Sequence, residues 1–354
     1  MHVERRSLLQ GSLLAAAPLP AAAQQGPAAG APLRRFAVEE GFQIPEVVAA
    51  LARLSPPPPG PPSQARLELN AALLDIGEGR IRAMDRDGIA KQLLLLSAPG
   101  VQAFEEGLAT DLARLANERL AEAVRKYPDR LAALTVIAPQ NPGQAAQELE
   151  RGSRSLGFKG AIINSHTRGE YLDDRKFWPI LEAAQALDTP IYLHPREPSP
   201  ALGGPLALPG FNVGWGYAVE TGTHLVRMIA AGVFDAFPRL RIVVGHLGEG
   251  LAFFLQRLDN RFEWENAVSN RRSSLRKMPG EYIRENIWLS TSGMNFWPQI
   301  SLCIDVLGID RVMFAVDYPF EVSAPATEAV DRAPLTEEQR AKLYHGNAER
   351  VFGL

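Results

Sequence analysis

The chain has 354 residues, of which 46% are hydrophobic and 22% are charged, as in an ordinary globular protein. This length accommodates a barrel of about 250 residues with insertions. The formal net charge of −3 and the lack of a clustered basic run after the first residues argue against a nucleic-acid-binding protein. A single cysteine, Cys303, excludes internal disulfides and cysteine metal clusters. It stands in a stretch that predicts a helix, where we expect a small buried apolar residue.

The beginning of the chain has the features of an export signal. The pair Arg5-Arg6 precedes a short, moderately apolar stretch that ends in three alanines. The paired arginines resemble the twin-arginine signal, although Glu4 stands where that signal prefers Ser or Thr. Two prolines interrupt the apolar stretch, which is too short to be a permanent membrane span. We predict a periplasmic protein; the alternative is a disordered leader with chance arginines. The predicted segments are an export signal over 1–23, a linker over 24–34 and one catalytic domain over 35–354.

After the leader, apolar runs alternate with amphipathic stretches, which is the pattern of βα units. Several runs are almost continuously apolar, as in strands that are covered on both faces. The predicted strands are 35–39, 91–96, 131–137, 160–163, 190–193, 242–245, 287–290 and 312–316. The predicted helices include 45–54, 66–87, 112–126, 145–156, 178–187 and 220–231. Eight units without a glycine-rich phosphate loop after the first strand predict an α/β protein with a closed (β/α)8 TIM barrel, rather than an open doubly wound sheet.

Four of these strands end in a side chain that can bind a metal or exchange a proton. Glu39, His194, His246 and Asp317 end the first, fifth, sixth and eighth strands. In a (β/α)8 barrel the C-terminal ends of the strands share one face, where catalytic sites are built. A divalent metal needs several nitrogen or oxygen ligands that converge, with a position open for substrate. One such residue is weak evidence, but four in matching positions predict a metal-dependent enzyme.

Two further residues follow His246 along the chain. Glu249 comes three residues later, and it can hydrogen-bond the imidazole if the intervening turn opens a helix. Its alternative role is to stabilise the dipole at a helix N-terminus. Arg257 comes about three helical turns after His246. A solvated helix face is the alternative for that arginine.

Two residues near the fourth and fifth strands are candidates for substrate contact. Arg196 could bind an anionic substrate through both guanidinium branches, or form a surface ion pair with Glu197. His166 follows the fourth strand and could line the pocket. Two other histidines have structural interpretations: we expect His224 to pack or cap a helix and His345 to lie at the end of a C-terminal helix.

Four segments of the chain resemble one known family. They are similar to the aminocarboxymuconate-semialdehyde decarboxylase-like branch of the amidohydrolase superfamily. The pattern comes closest to the nonoxidative hydroxybenzoate decarboxylases, such as γ-resorcylate and 2,3-dihydroxybenzoate decarboxylase. The resemblance covers about residues 35 to 353. Its main segments are Val38–Pro45, Tyr192–Arg196, Gly245–Glu249 and Phe314–Glu321.

The resemblance implies a (β/α)8 barrel, one divalent metal ion (zinc, manganese or magnesium) and a homodimer or homotetramer. It also implies roles for single residues: metal ligation by Glu39, His194 and Asp317, proton handling by His246 with Glu249, and a place near the substrate for Arg257.

One departure from the family pattern concerns the metal. Many members carry Glu-Xaa-His after the first strand, whereas this chain has Gly41 at the histidine position. A branch of these decarboxylases has alanine there, so the change does not imply loss of metal. Without that histidine we expect weaker zinc selectivity and a preference for a harder ion such as magnesium or manganese.

The leading functional hypothesis is nonoxidative decarboxylation of an ortho-hydroxybenzoate-like acid, with Asp317 as the acid that protonates the ring. His246 and Glu249 would promote phenol ionisation or relay the proton. One alternative is a metal-dependent hydrolase of a lactone or ester, which would use the same residues and would suit a periplasmic location. A second alternative, motivated by Gly41, is a non-catalytic binding protein on the same barrel. The expected partner is a small carboxylic acid, with no nucleic acid and no permanent membrane span.

Overall fold

Parallel strands form a ring at the centre of the molecule in the computed structural model, which describes residues 33–57, 59–269 and 273–354. Residues Arg34–Leu354 make up one compact unit. The predicted export signal and nearly all of the predicted linker lie outside the described residues. The strands are β1 (Phe36–Phe42), β2 (Lys91–Leu96), β3 (Leu131–Ala133), β4 (Thr135–Val136), β5 (Ala161–Asn164), β6 (Ile191–His194), β7 (Ile242–Val244), β8 (Ile287–Ser290) and β9 (Val312–Met313).

The ladder of hydrogen bonds closes on itself. Strands β1 to β3 and β4 to β9 pair in sequence order, each with its neighbour in parallel. Strands β3 and β4 are the two halves of one barrel strand, joined at Leu134, whose amide donates to the Leu94 carbonyl at 2.9 Å. The Val38 amide of β1 donates to the carbonyl of Phe314, just after β9, at 3.2 Å. This closure, with eight strand positions, confirms the predicted (β/α)8 barrel.

Helices surround the barrel and cover the outward faces of its strands. One helix begins at Asn141-Pro142, as the sequence predicts. The Asn141 side chain accepts a hydrogen bond from the Gln144 amide, and Pro142 lies in the first turn. The helices are α1 (Pro45–Leu54), α2 (Gln64–Leu74), α3 (Glu78–Asp87), α4 (Glu106–Lys126), α5 (Pro142–Ser155), α6 (Trp178–Ala186), α7 (Pro200–Leu206), α8 (Tyr217–Ala230), α9 (Val233–Ala236), α10 (His246–Glu249), α11 (Leu251–Val268), α12 (Pro279–Asn286), α13 (Trp297–Leu307), α14 (Ser323–Asp331), α15 (Glu337–Ala341) and α16 (Asn347–Phe352).

The single helix predicted over 66–87 is wrong, because the chain forms α2 and α3 with a break between them. At the break, the Asp75 carboxylate accepts a hydrogen bond from the Gly77 amide at 2.8 Å. An aspartate that binds an amide two residues later competes with helix formation. The Asp75 carbonyl, which a continuous helix would use internally, accepts instead from Nε of Arg80 at 2.9 Å.

The predicted position of Cys303 is confirmed. It lies in α13 with only 3% of its surface exposed, and burial raises the pKa of its thiol to about 12. A thiol of that kind packs as an apolar group and is a poor nucleophile. Among the described residues, no helix combines the length and the apolar character that crossing a bilayer demands.

Candidate active site

The four residues predicted from the strand ends meet at one face of the barrel. Glu39 lies in β1, His194 ends β6, His246 begins the turn after β7, and Asp317 follows β9. Glu39, His246 and Asp317 each contribute one atom to a group in which all atoms lie within 4.8 Å of one another. Nε2 of His194 lies 3.6 Å from Oε1 of Glu39. Glu39, His246 and Asp317 thus form one cluster, and His194 lies beside it at Glu39. The prediction that Glu39 ends the first strand is wrong, because β1 continues to Phe42.

The two oxygens of the Glu39 carboxylate have different surroundings. Oε2 accepts hydrogen bonds from the Tyr192 hydroxyl at 2.5 Å and the Ser290 hydroxyl at 2.6 Å. Oε1 is buried and has no hydrogen-bond partner within the described chain. It lies 3.8 Å from Nδ1 of His246, on the side where His194 also stands. A buried, unpaired carboxylate oxygen is costly, so Oε1 is in position to bind a cation.

His194 and His246 have opposite electrostatic surroundings. Burial lowers the pKa of His194 to about 4, so its imidazole stays neutral, which is the form that binds metals. Burial also opposes the charged form of His246, but the nearby carboxylates of Glu39, Glu249 and Asp317 outweigh it. The pKa of His246 is therefore well above its ordinary value of 6.5.

The contacts of His246 join the two remaining carboxylates. Its Nδ1 lies 3.1 Å from Oε1 of Glu249, which confirms the predicted hydrogen bond, and its Nε2 lies 3.6 Å from Oδ2 of Asp317. Burial raises the pKa of Asp317 to about 6, against the lowering effect of His246. Burial also raises the pKa of Glu249. Three carboxyl groups share this pocket with one imidazole of raised pKa, an arrangement that a divalent cation would balance.

The backbone at these residues is strained. His246, Glu249 and Asp317 have φ angles of 49°, 53° and 77°, in the left-handed region that side chains other than glycine rarely adopt. Such residues cost free energy and cluster at functional sites, where the surrounding structure holds them. The strain supports a functional assignment for all three.

Gly41, where the sequence resemblance leads one to expect histidine, is closely surrounded, so a side chain there would require its neighbours to shift. A Cβ atom there would lie 2.7 Å from Oγ of Ser97 and 3.1 Å from the ring of Phe320. The donor set around Oε1 of Glu39 consists of carboxylates and imidazoles, which suits a divalent ion. With fewer imidazoles, this set fits manganese or magnesium better than a histidine-rich set would.

A large cavity opens at the cluster. It has a volume of about 1410 Å³, above the about 300 to 1,000 Å³ of common small-molecule sites. Its walls include His194, His246, Glu249 and Asp317, and much of the rest comes from apolar side chains of α8 and α11. Arg257 of α11 is exposed and also lines the cavity. That arginine does not lie on one helix continuous with His246, because the chain turns at Gly250 before α11 begins.

The other two predicted substrate contacts lie elsewhere. Within the described residues, the cavity walls include neither Arg196 nor His166. Arg196 is buried, donates to the His166 carbonyl at 3.2 Å and pairs with Glu197. Nε2 of His166 lies 3.1 Å from the Glu197 carbonyl. Arg196, His166 and Glu197 therefore contact one another. The ion pair between Arg196 and Glu197 is not purely a surface pair, because Arg196 is buried.

The structural interpretation of His224 is confirmed. It is fully buried in α8, and its Nε2 accepts a hydrogen bond from the Leu172 amide at 2.9 Å. His345 lies 3.2 Å from Glu349 in the C-terminal region, away from the cavity walls.

Sequence reasoning missed the residues that hold Glu39. Tyr192 stands two positions before His194 on β6, and alternate residues of a strand share a face, so that spacing could have identified it. Ser290 is the last residue of β8, in the same position on its strand as His194 on β6. Glu40, next to Glu39, was also missed; it accepts hydrogen bonds from the amides of Val316 and Tyr318.

The geometry agrees with comparisons to known proteins. A family model described as amidohydrolase matches residues 70–354. The chain belongs to the amidohydrolase family. A γ-resorcylate decarboxylase of Polaromonas sp. strain JS666 is 37% identical over 332 residues, which cover 90% of this chain and 98% of that protein. The branch expected from the sequence motifs is thus confirmed.

Solved structures of family members have the same fold. The 5-carboxyvanillate decarboxylase of Sphingomonas paucimobilis matches with a TM-score of 0.86 and 39% identity, over 91% of this chain and 99% of that one. The 5-carboxyvanillate decarboxylase of Novosphingobium aromaticivorans, complexed with manganese and 4-hydroxy-3-methoxy-5-nitrobenzoic acid, matches with a TM-score of 0.86 and 38% identity. That match covers 91% of this chain and 96% of the other. This amidohydrolase therefore shares its barrel with manganese-binding decarboxylases.

Proposed function

We propose that this protein is a metal-dependent carboxy-lyase that removes carbon dioxide nonoxidatively from a hydroxylated aromatic carboxylic acid. The observation that carries the proposal is the placement of Asp317 within 4.8 Å of the Glu39 ligand atom, at the cavity. Relatives with 37 to 39% identity are named decarboxylases of aromatic acids that carry hydroxyl groups. Substrates of this class are ortho-hydroxybenzoate-like.

Glu39, His194 and Asp317 are the residues that would hold the divalent ion, which is manganese in the Novosphingobium relative. When bound, such an ion supplies positive charge that fixes and neutralises the anionic substrate. The unpartnered Oε1 of Glu39 and the neutral imidazole of His194 fit this role. Tyr192 and Ser290 orient Glu39 by holding its other oxygen.

Asp317 is the acid of the reaction. It transfers a proton to the ring carbon that bears the carboxylate, and the electrons of the carbon–carboxylate bond then return to the ring as carbon dioxide leaves. A pKa raised to about 6 by burial lets this side chain keep a proton more readily than an exposed aspartate does. His246, whose raised pKa keeps its imidazole charged and which Glu249 holds in place, stabilises the substrate's phenolate and so promotes phenol ionisation, or relays the proton. Arg257 contacts the anionic substrate from the cavity wall.

The experiment that tests this proposal is carbon dioxide release by leaderless protein of measured manganese content, across a panel of ortho-hydroxybenzoates. The variant is Asp317→Asn, and Asp111→Asn on the exposed side of α4 is the matched control. We expect release with wild type and the control, and none with Asp317→Asn. No release by metal-loaded wild type would reject the proposal and redirect the search to lactone and ester hydrolysis. Turnover with stoichiometric metal would exclude the binding-protein alternative.

The oligomeric state belongs to the same proposal. Val213, Trp215 and Phe254 line the cavity and are each more than half exposed, as is Phe253 beside them. Exposed apolar side chains in this number mark an interaction surface. The second copy of a homodimer or homotetramer would cover them. We expect light scattering of the wild type to give at least twice the chain mass of 38.6 kDa. The double variant Trp215→Ser with Phe253→Ser should have a lower mass. The control Val48→Ser on α1 should have the wild-type mass. A monomeric wild type would contradict it.

Export through a twin-arginine-type signal over 1–23 is a further part of the proposal. Its support is the Arg5-Arg6 pair before an apolar stretch and a small-residue cleavage site. In a bacterial host, we expect periplasmic protein whose mature N-terminus lies near residue 24. Replacing both arginines by lysine should retain the protein in the cytoplasm. Wild type that stays cytoplasmic with an intact leader would support the alternative of a disordered leader.

A further inference from the structure

Glu40 is a second buried carboxylate beside the metal cluster, and its hydrogen bonds differ from those of Glu39. Its Oε1 accepts from the Val316 amide at 3.0 Å, and its Oε2 accepts from the Tyr318 amide at 3.2 Å. These two amides flank Asp317. One carboxylate therefore bridges the backbone on both sides of the proposed acid.

The bridged segment lies beyond the end of the last strand. Strand β9 ends at Met313, and Asp317 stands beyond it with a φ angle of 77°. A non-glycine residue in that conformation persists only where its surroundings hold it. In addition to the Glu40 bridge, the Tyr318 carbonyl accepts from the Gly41 amide at 2.7 Å. The Asp317 carbonyl accepts from the amides of Phe320 and Glu321 at 2.8 and 3.0 Å, and the Glu40 carboxylate adds one hydrogen bond to the amide on each side of Asp317.

Arg80 of α3 secures the bridge from outside the barrel. Its guanidinium is buried, donates to the Gly41 carbonyl at 2.6 Å and donates to the Gln92 side chain at 3.2 Å. Gln92 in turn donates to Oε2 of Glu40 at 3.2 Å. The same guanidinium lies 5.1 Å from the ring centroid of Tyr318. Arg80 thus contacts Gly41, next to Glu40, and Tyr318, next to Asp317. Nε of Arg80 is itself held by the Asp75 carbonyl at the break between α2 and α3.

Glu40 differs from a metal ligand in that its oxygens are already used. Both accept from N–H groups, whereas Oε1 of Glu39 has no partner within the described chain. Glu39 and Glu40 are neighbours in β1, but their carboxylates have different partners.

We propose that Glu40 is the positioning residue of Asp317: by binding the amides of Val316 and Tyr318, it holds the Asp317 side chain at Glu39 and His246. The inference rests on the proposed function, in which Asp317 is both ligand and acid. Of the two neighbouring glutamates of β1, Glu39 would bind the metal, and Glu40 would hold the turn after β9 that carries Asp317.

The test is a double-mutant cycle on Mn²⁺ affinity, measured by electron paramagnetic resonance of the free ion without substrate. Glu40→Gln is nearly isosteric but retains a single acceptor oxygen, so one amide of the bridge loses its partner. We expect Glu40→Gln to weaken Mn²⁺ binding about tenfold in the wild-type background and less than about twofold in the Asp317→Asn background. Glu122→Gln, on an exposed part of α4, is the matched control and should change neither.

An equal loss in both backgrounds would overturn the inference, because Glu40 would then act on the whole fold rather than through Asp317. No loss in the wild-type background would overturn it as well. Should Glu40→Gln prove too unstable to purify, Gln92→Met removes one donor of the network, and the same cycle applies with a smaller expected loss.

In the active enzyme, Glu40→Gln should lower kcat about tenfold or more and change KM less. The Mn²⁺ cycle does not depend on which reaction is catalysed, so a failure of the proposed decarboxylation would leave its outcome readable.

Discussion

Gly245 packs directly against the carboxylate of Glu39. A Cβ atom at position 245 would lie 2.4 Å from Oε1 and 2.6 Å from Oε2 of that carboxylate. Gly245 also connects β7 to His246. This residue must be small, because the Glu39 carboxylate occupies the space that a side chain would need. The first and sixth barrel strands are thereby matched in shape at the proposed metal site.

Replacing Gly245 by alanine should displace Glu39 and impair metal binding. We expect Gly245→Ala to weaken Mn²⁺ affinity by about tenfold or more and to lower the melting temperature, because a methyl group must enter occupied space. Gly107→Ala in α4 is the control, since nothing lies within 4 Å of the added atom. That control should retain affinity and gain up to about 1 kcal/mol in the free energy of unfolding. Isothermal titration and thermal melting measure both quantities; unchanged Mn²⁺ binding by Gly245→Ala would refute the packing argument.

The hydroxyl of Tyr192 should matter for metal binding as well as for stability. Tyr192→Phe keeps the ring and removes one of the two donors to Oε2 of Glu39. We expect weaker Mn²⁺ binding and a loss of about 1 to 3 kcal/mol in the free energy of unfolding. Tyr282→Phe is the matched control, because its hydroxyl donates to the carboxylate of Asp235 at 2.5 Å, away from the cluster. Equal Mn²⁺ affinities in the two variants would show that Tyr192 does not orient Glu39.

The buried His224 should make the protein less stable in acid. Burial lowers its folded-state pKa to about 3, below the ordinary value of 6.5. Between these pH values the unfolded chain binds a proton that the folded chain does not, so the free energy of unfolding falls as pH falls. One such group contributes about 1.4 kcal/mol for each pH unit. Urea titrations at pH 7 to 4 should show a shallower acid loss for His224→Gln than for wild type or His345→Gln; parallel curves for all three proteins would contradict this assignment.

Arg257 should affect substrate affinity more than turnover. It lines the cavity from α11, where a guanidinium can pair with an anionic group of the substrate. We expect Arg257→Gln to raise KM about tenfold with a smaller change in kcat. Arg53→Gln at the exposed end of α1 is the control and should leave both constants unchanged. A fall in kcat without a rise in KM would place Arg257 outside the binding role.

Local sequence patterns predicted the barrel well because each strand is a short apolar run whose last residue can be read directly. The last residue of β6 identified His194 in this way, and the end of the apolar run that begins at β9 identified Asp317. The same patterns failed over 66–87, because helical periodicity does not register an aspartate that binds the backbone two residues later. They also missed the contacts of Glu40, since its partners Val316 and Tyr318 are brought to it by closure of the ring and not by proximity in the chain.

Ring closure also sets the order of events when the protein is made. Glu40 is 276 residues away from its partner Val316, and these two segments meet only where β1 closes against the segment after β9. A nascent chain that has been synthesised only as far as β8 contains Glu39 and His194 but not Asp317. Under the proposed ligation by Asp317, full metal affinity follows synthesis of nearly the whole chain and requires that β1 has already closed against the segment after β9.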